Sequence, residues 1–177
     1  MSERFYTVWS EGKLLFGESV MALGMKYFEI VGVGMWFFDG TDGVEFDIKK
    51  STLSREFFLL TEQYKKIQFL DKNQLVKEVL EKADDYMQGI VIAFGSYAKG
   101  IQKDDSDLDL FIVGTFDEKK IKEAGHKYGL DINIKSYPMR LFKKEIHDDI
   151  LLKEIVENHV IIKDAEGFVR RVVKWIK

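Results

Sequence analysis

The sequence predicts an α/β or α+β domain in which helices pack on a small mixed β-sheet, with a small appendage at the N-terminus. From about residue 69 onward, short apolar segments typical of buried strands alternate with amphipathic helical segments. The composition is that of an ordinary globular chain, because 46% of the 177 residues are hydrophobic and 32% are charged. We expect residues 1–68 to form the appendage and a connecting helix, and residues 69–177 to form the main domain.

The N-terminal segment is compatible with two interpretations. A helical pattern over 14–25, followed by strands on either side of the glycine-rich turn at 39–43, is the outline of a winged helix. A small β-rich appendage that covers the main domain or mediates dimerisation fits the same residues. The segment 51–67 then predicts the connecting helix.

The main domain is predicted to contain helix, strand, strand, helix, strand and further helices, in that order. Asp71 is a candidate N-cap for the first helix, which would bury one face formed by Leu75, Val79, Ala83 and Tyr86. The elements expected after it are a buried strand over 89–96, a strand over 108–114, a helix over 117–128 ending at Gly129, a strand over 130–137, helical residues from 138 to 158 with a break near His147, a short strand over 160–163 and a closing helix over 165–175.

Charge and composition narrow the range of functions. A net charge of −3 disfavours a protein whose main task is to grip a nucleic-acid backbone, although a local basic patch is compatible with it. The chain has no cysteine, which rules out a disulfide framework and a thiolate zinc site. The first residues carry charges where a signal peptide has its apolar core, and no stretch approaches the ~20 apolar residues that span a bilayer. We therefore expect a cytoplasmic protein.

Glycine, serine and aspartate residues between positions 95 and 110 suggest a chemical function. A predicted strand ends at Gly95 and Ser96 before a segment that can turn into a helix, so backbone N–H groups and a hydroxyl are expected where a phosphate could bind. Asp107 and Asp109 lie two residues apart on the next predicted strand, which places them on one face with Cα atoms ~7 Å apart. Two carboxylates this close favour a cation between them, and oxygen ligands suit Mg²⁺ or Mn²⁺.

The order and spacing of these residues are more specific than either part alone. The pattern Gly-Ser-x-Ala-x-Gly at 95–100, followed after a short gap by Ser-Asp-x-Asp-Leu at 106–110, closely resembles the signature of minimal nucleotidyltransferases in the DNA polymerase β superfamily. The resemblance covers roughly residues 71–177. It implies a polymerase-β-like nucleotidyltransferase fold.

The resemblance also assigns roles to individual residues. It implies that Gly95 and Ser96 contact the triphosphate of a bound nucleotide, and that Asp107 and Asp109 hold the metal ions. The family uses a third carboxylate from a neighbouring strand, and the candidate for that catalytic and metal-binding role here is Asp131.

Further residues extend the predicted site. Lys99 and Ser106 belong to the same motif, so the resemblance makes them candidates for nucleotide binding; Lys99 is also compatible with plain solvent exposure. Asn133 and Lys135 share the face of Asp131 by the two-residue period of a strand. Lys135 is therefore either a group that neutralises phosphate charge or an exposed lysine at a sheet edge.

The implied activity is metal-dependent transfer of a nucleoside monophosphate from a nucleoside triphosphate, with ATP as the expected donor, to a hydroxyl, with release of pyrophosphate. Because the chain is short and not basic, a protein or small-molecule acceptor is expected rather than nucleic acid. Small prokaryotic members of the superfamily are often antitoxins, which makes a HEPN-type toxin and a second copy of the chain candidate partners. Two alternatives stay open: binding of a nucleotide or partner without turnover, and a DNA-binding regulator.

Overall fold

The computed structural model describes residues 7–10, 12–15, 27–31, 34–38, 43–47, 52–142 and 149–172. The chain divides into two compact units, one comprising Met1–Tyr64 and Val169–Lys177 and the other Lys65–Phe168. Within the described part of the chain, no helix combines the length and the apolar character needed to cross a membrane. The predicted site residues all lie in the second unit, so the architecture of that unit positions them.

The described residues before position 48 are all strands. They form one sheet in the order β2-β1-β3-β4-β5, in which only the β1–β3 pair is parallel. The strands are β1 (Thr7–Ser10), β2 (Gly12–Leu15), β3 (Tyr27–Val31), β4 (Gly34–Phe38) and β5 (Gly43–Asp47). A sheet is what the β-rich alternative predicts. Of the helical pattern expected over 14–25, positions 14 and 15 lie in β2 and the rest lies outside the described residues.

The predicted connecting helix is present as α1 (Thr52–Lys72), and it is followed by α2 (Gln74–Ala83). The prediction that Asp71 caps the second helix is wrong, because α1 continues through that residue. Asn73 stands at the N-cap position instead, with its φ of −122° and ψ of 68° interrupting the helix. Its side-chain amide donates to the carbonyl of Phe69 at 2.8 Å, so it satisfies the end of α1 rather than the start of α2.

The buried face of α2 agrees with the predicted one at Val79 and Ala83 and differs from it at Leu75 and Tyr86. The helix buries Val76, Val79, Leu80 and Ala83, a spacing of i, i+3, i+4 and i+7 that gives a continuous apolar stripe. Leu75 is 45% exposed and Tyr86, in the short 3₁₀ turn Asp84–Tyr86 beyond the helix, is 36% exposed. Both were predicted to be buried.

The second unit contains a four-stranded mixed sheet. Its strands are β6 (Met87–Phe94), β7 (Leu108–Phe116), β8 (Ile132–Ser136) and β9 (Val160–Lys163), in the order β8-β7-β6-β9. β6 is antiparallel to both of its neighbours, whereas β7 and β8 run parallel. This sheet, with the helices around it, confirms the predicted fold class.

Five further helices accompany the sheet among the described residues: α3 (Gly95–Lys99), α4 (Glu118–His126), α5 (Met139–Phe142), α6 (Ile150–Glu157) and α7 (Ala165–Val172). Asp117 caps α4 by accepting from the backbone N–H of Lys120 at 3.1 Å, and Asp149 caps α6 by accepting from that of Leu152 at 3.0 Å. The predicted break near His147 falls in 143–148, outside the described residues.

The central strands β6 and β7 are buried on both faces. On one face, α2 and α4 cover an aliphatic cluster that includes Leu108, Leu110, Ile112, Ile121 and Ile132. On the other face, the ring of Phe111 lies 5.4 Å from that of Tyr137 and 5.9 Å from that of Phe142. Because side chains alternate along a strand, Asp109 belongs to the face of Phe111.

Candidate active site

The two predicted metal-binding aspartates lie where β7 begins. Asp109 is the second residue of that strand, and Asp107 immediately precedes it. The intervening Leu108 and the following Leu110 are fully buried in the aliphatic cluster, so the aspartates share the opposite face, as predicted. Asp109 pairs with Phe94, the last residue of β6. The carboxylates therefore lie at the end of the sheet where β6 ends and β7 begins.

Gly95 brings the predicted phosphate-binding turn into contact with this carboxylate pair. Its φ of +69° lies in the left-handed region, a backbone conformation that residues other than glycine rarely adopt. A methyl group at this position would overlap Oδ2 of Asp109 and lie 3.1 Å from its Cγ. Glycine is therefore needed for two reasons, the backbone conformation and the close approach of the Asp109 carboxylate.

The surroundings of Asp109 disfavour its negative charge. Burial raises the pKa of this carboxyl above its ordinary value, and the hydrogen bond from Asn133 partly opposes that effect. The nearby charges of Asp107 and Glu154 raise the pKa further, while that of Lys135 lowers it. The net result is a raised pKa, so added positive charge at this position would stabilise the ionised form.

Asn133 lies beside both carboxylates. It pairs with Asp109 in the parallel β7–β8 register, and its side-chain Nδ2 donates to Oδ2 of Asp107 at 2.9 Å. The amide also lowers the pKa of Asp109. The sequence placed Asn133 on the correct face of the strand but gave it no role. The strand register that brings Asn133 next to Asp107 and Asp109 depends on the tertiary structure and cannot be derived from local sequence.

Asp131, the predicted third carboxylate, has a different neighbour. Its Oδ1 lies 3.1 Å from Nε2 of His126, and its side chain is 73% exposed. His126 is the last residue of α4, which packs on the sheet face opposite Asp109. In this structure the carboxylate of Asp107 contacts Asn133, whereas that of Asp131 pairs with His126. Within the described ranges, no group of three acidic or histidine side chains is arranged to hold a metal ion.

The remaining predicted residues belong to α3 and to the loop that follows it. Lys99, at the end of α3, forms an ion pair with Glu154 of α6, with Nζ 2.7 Å from Oε1. The hydroxyl of Ser106 accepts from the backbone N–H of Lys103 at 2.8 Å, so it holds the turn before β7. Ser96 lies in the first turn of α3. No pattern in the sequence pointed to Glu154, because only the packing of α6 brings it near the site.

The donor atoms at this end of the sheet fit a divalent cation. Two carboxylates and an amide oxygen are hard ligands of the kind that Mg²⁺ and Mn²⁺ prefer. Burial, together with the nearby charges of Asp107 and Glu154, raises the pKa of Asp109, and a cation would stabilise its ionised form. Asp107, Asp109 and Asn133 are therefore the residues able to hold such an ion.

Comparison with protein families agrees with this geometry. The family model described as a nucleotidyltransferase domain matches residues 72–171, which is more than half of the 177-residue chain. The chain therefore belongs to the nucleotidyltransferase domain family, and the resemblance seen in the sequence is confirmed. The match includes the four-stranded sheet and all of the candidate site residues. No curated protein and no solved structure matches the chain significantly.

Proposed function

We propose that the chain is a metal-dependent nucleotidyltransferase that moves a nucleoside monophosphate group from a nucleoside triphosphate, with ATP as the expected donor, to a hydroxyl of a protein or small molecule. Membership of the family supports nucleotide transfer in general. The observation that carries the finer proposal is the contact between Gly95 and Asp109. It joins a turn suited to phosphate directly to a carboxylate suited to a cation.

In the proposed reaction, the acceptor hydroxyl oxygen forms a bond to the α-phosphorus of the triphosphate. The bond from the α-phosphorus to the oxygen that bridges to the β-phosphate breaks, and pyrophosphate leaves with that oxygen. A bound divalent cation supplies neutralisation of the phosphate charge and a lower pKa for the acceptor hydroxyl. Asp107 and Asp109 hold the cation. Asp131 stays the predicted third carboxylate and proton acceptor, a role that requires it to leave His126.

The phosphate side of the proposed site is formed by α3 and its neighbours. Backbone N–H groups at Gly95 and Ser96 face the phosphates. Lys99 adds positive charge there once it leaves Glu154, its partner in this structure. Ser106 contributes by fixing the turn that precedes the aspartates. Lys135 lies on the same strand face as Asn133 and lowers the pKa of Asp109, which supports a position near the phosphates.

The test is calorimetric titration of the four ribonucleoside triphosphates, with and without Mg²⁺, into the wild type, Asp107→Asn and Asp105→Asn. Asp105 is the matched control because it is an exposed acid in the same loop. We expect one triphosphate, ATP foremost, to bind with Mg²⁺ to the wild type and to Asp105→Asn, and to lose that binding in Asp107→Asn. Unchanged Mg²⁺-dependent binding in Asp107→Asn would contradict the proposed site.

A second candidate function is nucleotide or partner binding without transfer, as in a neutralising antitoxin. It is favoured because, among the described residues, no group of three acidic or histidine side chains is arranged to hold a metal ion. A pyrophosphate-release assay with α-labelled triphosphate and a host-cell extract as the source of acceptors separates the two candidates. Transfer of label, with pyrophosphate release, supports the enzyme. Mg²⁺-dependent binding with neither supports the binding protein.

A further inference from the structure

We infer that Asn133, in place of a third carboxylate, completes the cation site of Asp107 and Asp109, and that the nucleotide-free protein binds a single divalent ion there. This inference rests on the proposed function, because it concerns how the same site holds its metal. It departs from the expectation that Asp131 supplies the third ligand.

The backbone geometry already places Asn133 where a third ligand is needed. In the parallel β7–β8 pair it lies directly beside Asp109, and its amide reaches Oδ2 of Asp107 at 2.9 Å. One side chain therefore contacts the Asp107 carboxylate from a backbone position beside Asp109. It is held by a strand rather than a loop, which fixes its distance from the pair.

The chemistry of an amide suits both states of such a site. Without a cation, the Nδ2 group of Asn133 donates to the Asp107 carboxylate and so reduces its repulsion with Asp109. A half-turn about the bond between Cβ and Cγ exchanges Nδ2 for Oδ1 without moving the backbone. The carbonyl oxygen then faces the position between Asp107 and Asp109 and serves as a third oxygen ligand for the ion.

The charge balance favours one ion over two. Asp107 and Asp109 together carry two negative charges, which one divalent cation neutralises, and Asn133 adds none. The charge of Glu154, which also acts on Asp109, is balanced by its ion pair with Lys99. A second ion would leave an excess of positive charge near Lys135, whose charge already acts on Asp109. A second ion is therefore expected only when a triphosphate brings its own negative charge.

The contact of Asp131 explains why it does not take this position. Its backbone carbonyl accepts from the N–H of Leu108 at 2.8 Å, which anchors the residue just before β8 begins. Its carboxylate lies 3.1 Å from the ring of His126, at the end of α4. Removal of this carboxylate should leave the cation site intact.

The experiment is titration of Mn²⁺ into the full chain without nucleotide, followed by calorimetry and by the electron paramagnetic resonance signal of free Mn²⁺. The variants are Asn133→Ala, Asn133→Asp, Asp131→Asn and Asp107→Asn. Ser136→Asp is the matched control for added charge, because it places a carboxylate at the exposed far end of the same strand. Thermal unfolding of each variant checks that it is folded.

We expect the wild type to bind one equivalent of Mn²⁺. Asn133→Ala should bind it roughly 10–100-fold more weakly, the range typical for loss of a supporting group at a metal site. Asn133→Asp should bind more tightly and take up a second equivalent, whereas Asp131→Asn and Ser136→Asp should match the wild type.

Contrary outcomes separate this inference from the proposed function. If Mn²⁺ binding needs Asp107 but is weakened by Asp131→Asn and not by Asn133→Ala, the role of Asn133 is overturned and the proposed site stands. Two equivalents in the wild type overturn the single-ion inference in the same way. If the wild type binds no Mn²⁺, or Asp107→Asn binds as the wild type does, both the inference and the metal site of the proposed function fail.

Discussion

Replacement of Gly95 by alanine tests the contact that joins the turn to the metal site. The new methyl group would overlap Oδ2 of Asp109, and the cheapest relief is rotation of that carboxylate away from its present position. The backbone cost is separate: a residue other than glycine at a φ of +69° loses ~1–2 kcal/mol. For a chain of this length, that corresponds to a fall in melting temperature of roughly 2–8 °C.

Gly129 supplies a matched control for the backbone cost. Its φ is +70°, and a methyl group there meets no atom within 4 Å. Gly129→Ala should therefore show a similar fall in melting temperature while keeping Mn²⁺ binding. Gly95→Ala should show the same fall and also lose most Mn²⁺ binding, measured by calorimetry. If Gly95→Ala binds Mn²⁺ as well as Gly129→Ala does, the contact with Asp109 does not control the site, and the argument that links turn and metal is refuted.

Three further predictions follow from the charges around the site and the caps. Because the pKa of Asp109 is raised in the folded protein, ionisation of this carboxyl destabilises the fold above that pKa and has no effect below the unfolded value of about 3.9. Asp109→Asn should therefore raise the melting temperature at pH 7, and this gain should vanish near pH 3. Burial raises the pKa of Asp149, but hydrogen bonds from Tyr137 and two backbone N–H groups outweigh burial and lower the pKa on balance. Tyr137→Phe removes the 2.6 Å hydrogen bond to Asp149 and should lower the free energy of unfolding in urea by about 1 kcal/mol at neutral pH. The loss should become smaller as the pH falls through the folded pKa of Asp149. Glu154→Gln releases Lys99 and removes a negative charge near the phosphates, so calorimetry should show tighter triphosphate binding, whereas weaker binding would mean that Glu154 positions Lys99.

Much of the second unit could be predicted from the sequence because its strands are short apolar segments between clear helical patterns. The strands predicted over 89–96, 108–114, 130–137 and 160–163 all formed, each within a few residues of its predicted ends. The errors arose where local signals compete. Asp71 is a good capping residue, but the helical pattern before it continues and absorbs it into α1.

Only the part of the site that lies along a single strand could be predicted from the sequence. The spacing of Asp107 and Asp109 determined their common face, because alternation holds along a regular strand. It does not determine the partner of the Asp131 carboxylate, which pairs with His126 at the end of α4. The contributions of Asn133 and Glu154 depend on the pairing of β7 with β8 and on the packing of α6, which no local pattern in the sequence encodes.

Burial and nearby negative charges make the ionised form of Asp109 unfavourable in the folded protein. This allows a test of cation binding that needs no knowledge of the acceptor. A cation that binds only the folded chain stabilises it by about 2.7 kcal/mol at a concentration 100 times its dissociation constant. For a chain of this length that is a rise in melting temperature of roughly 5–11 °C. Since burial raises the pKa of Asp109, protons compete with the ion for this carboxyl at low pH, and the rise should be larger at pH 7 than near pH 4. Asp107→Asn should abolish the rise, and a rise that persists in that variant would place the ion elsewhere in the chain.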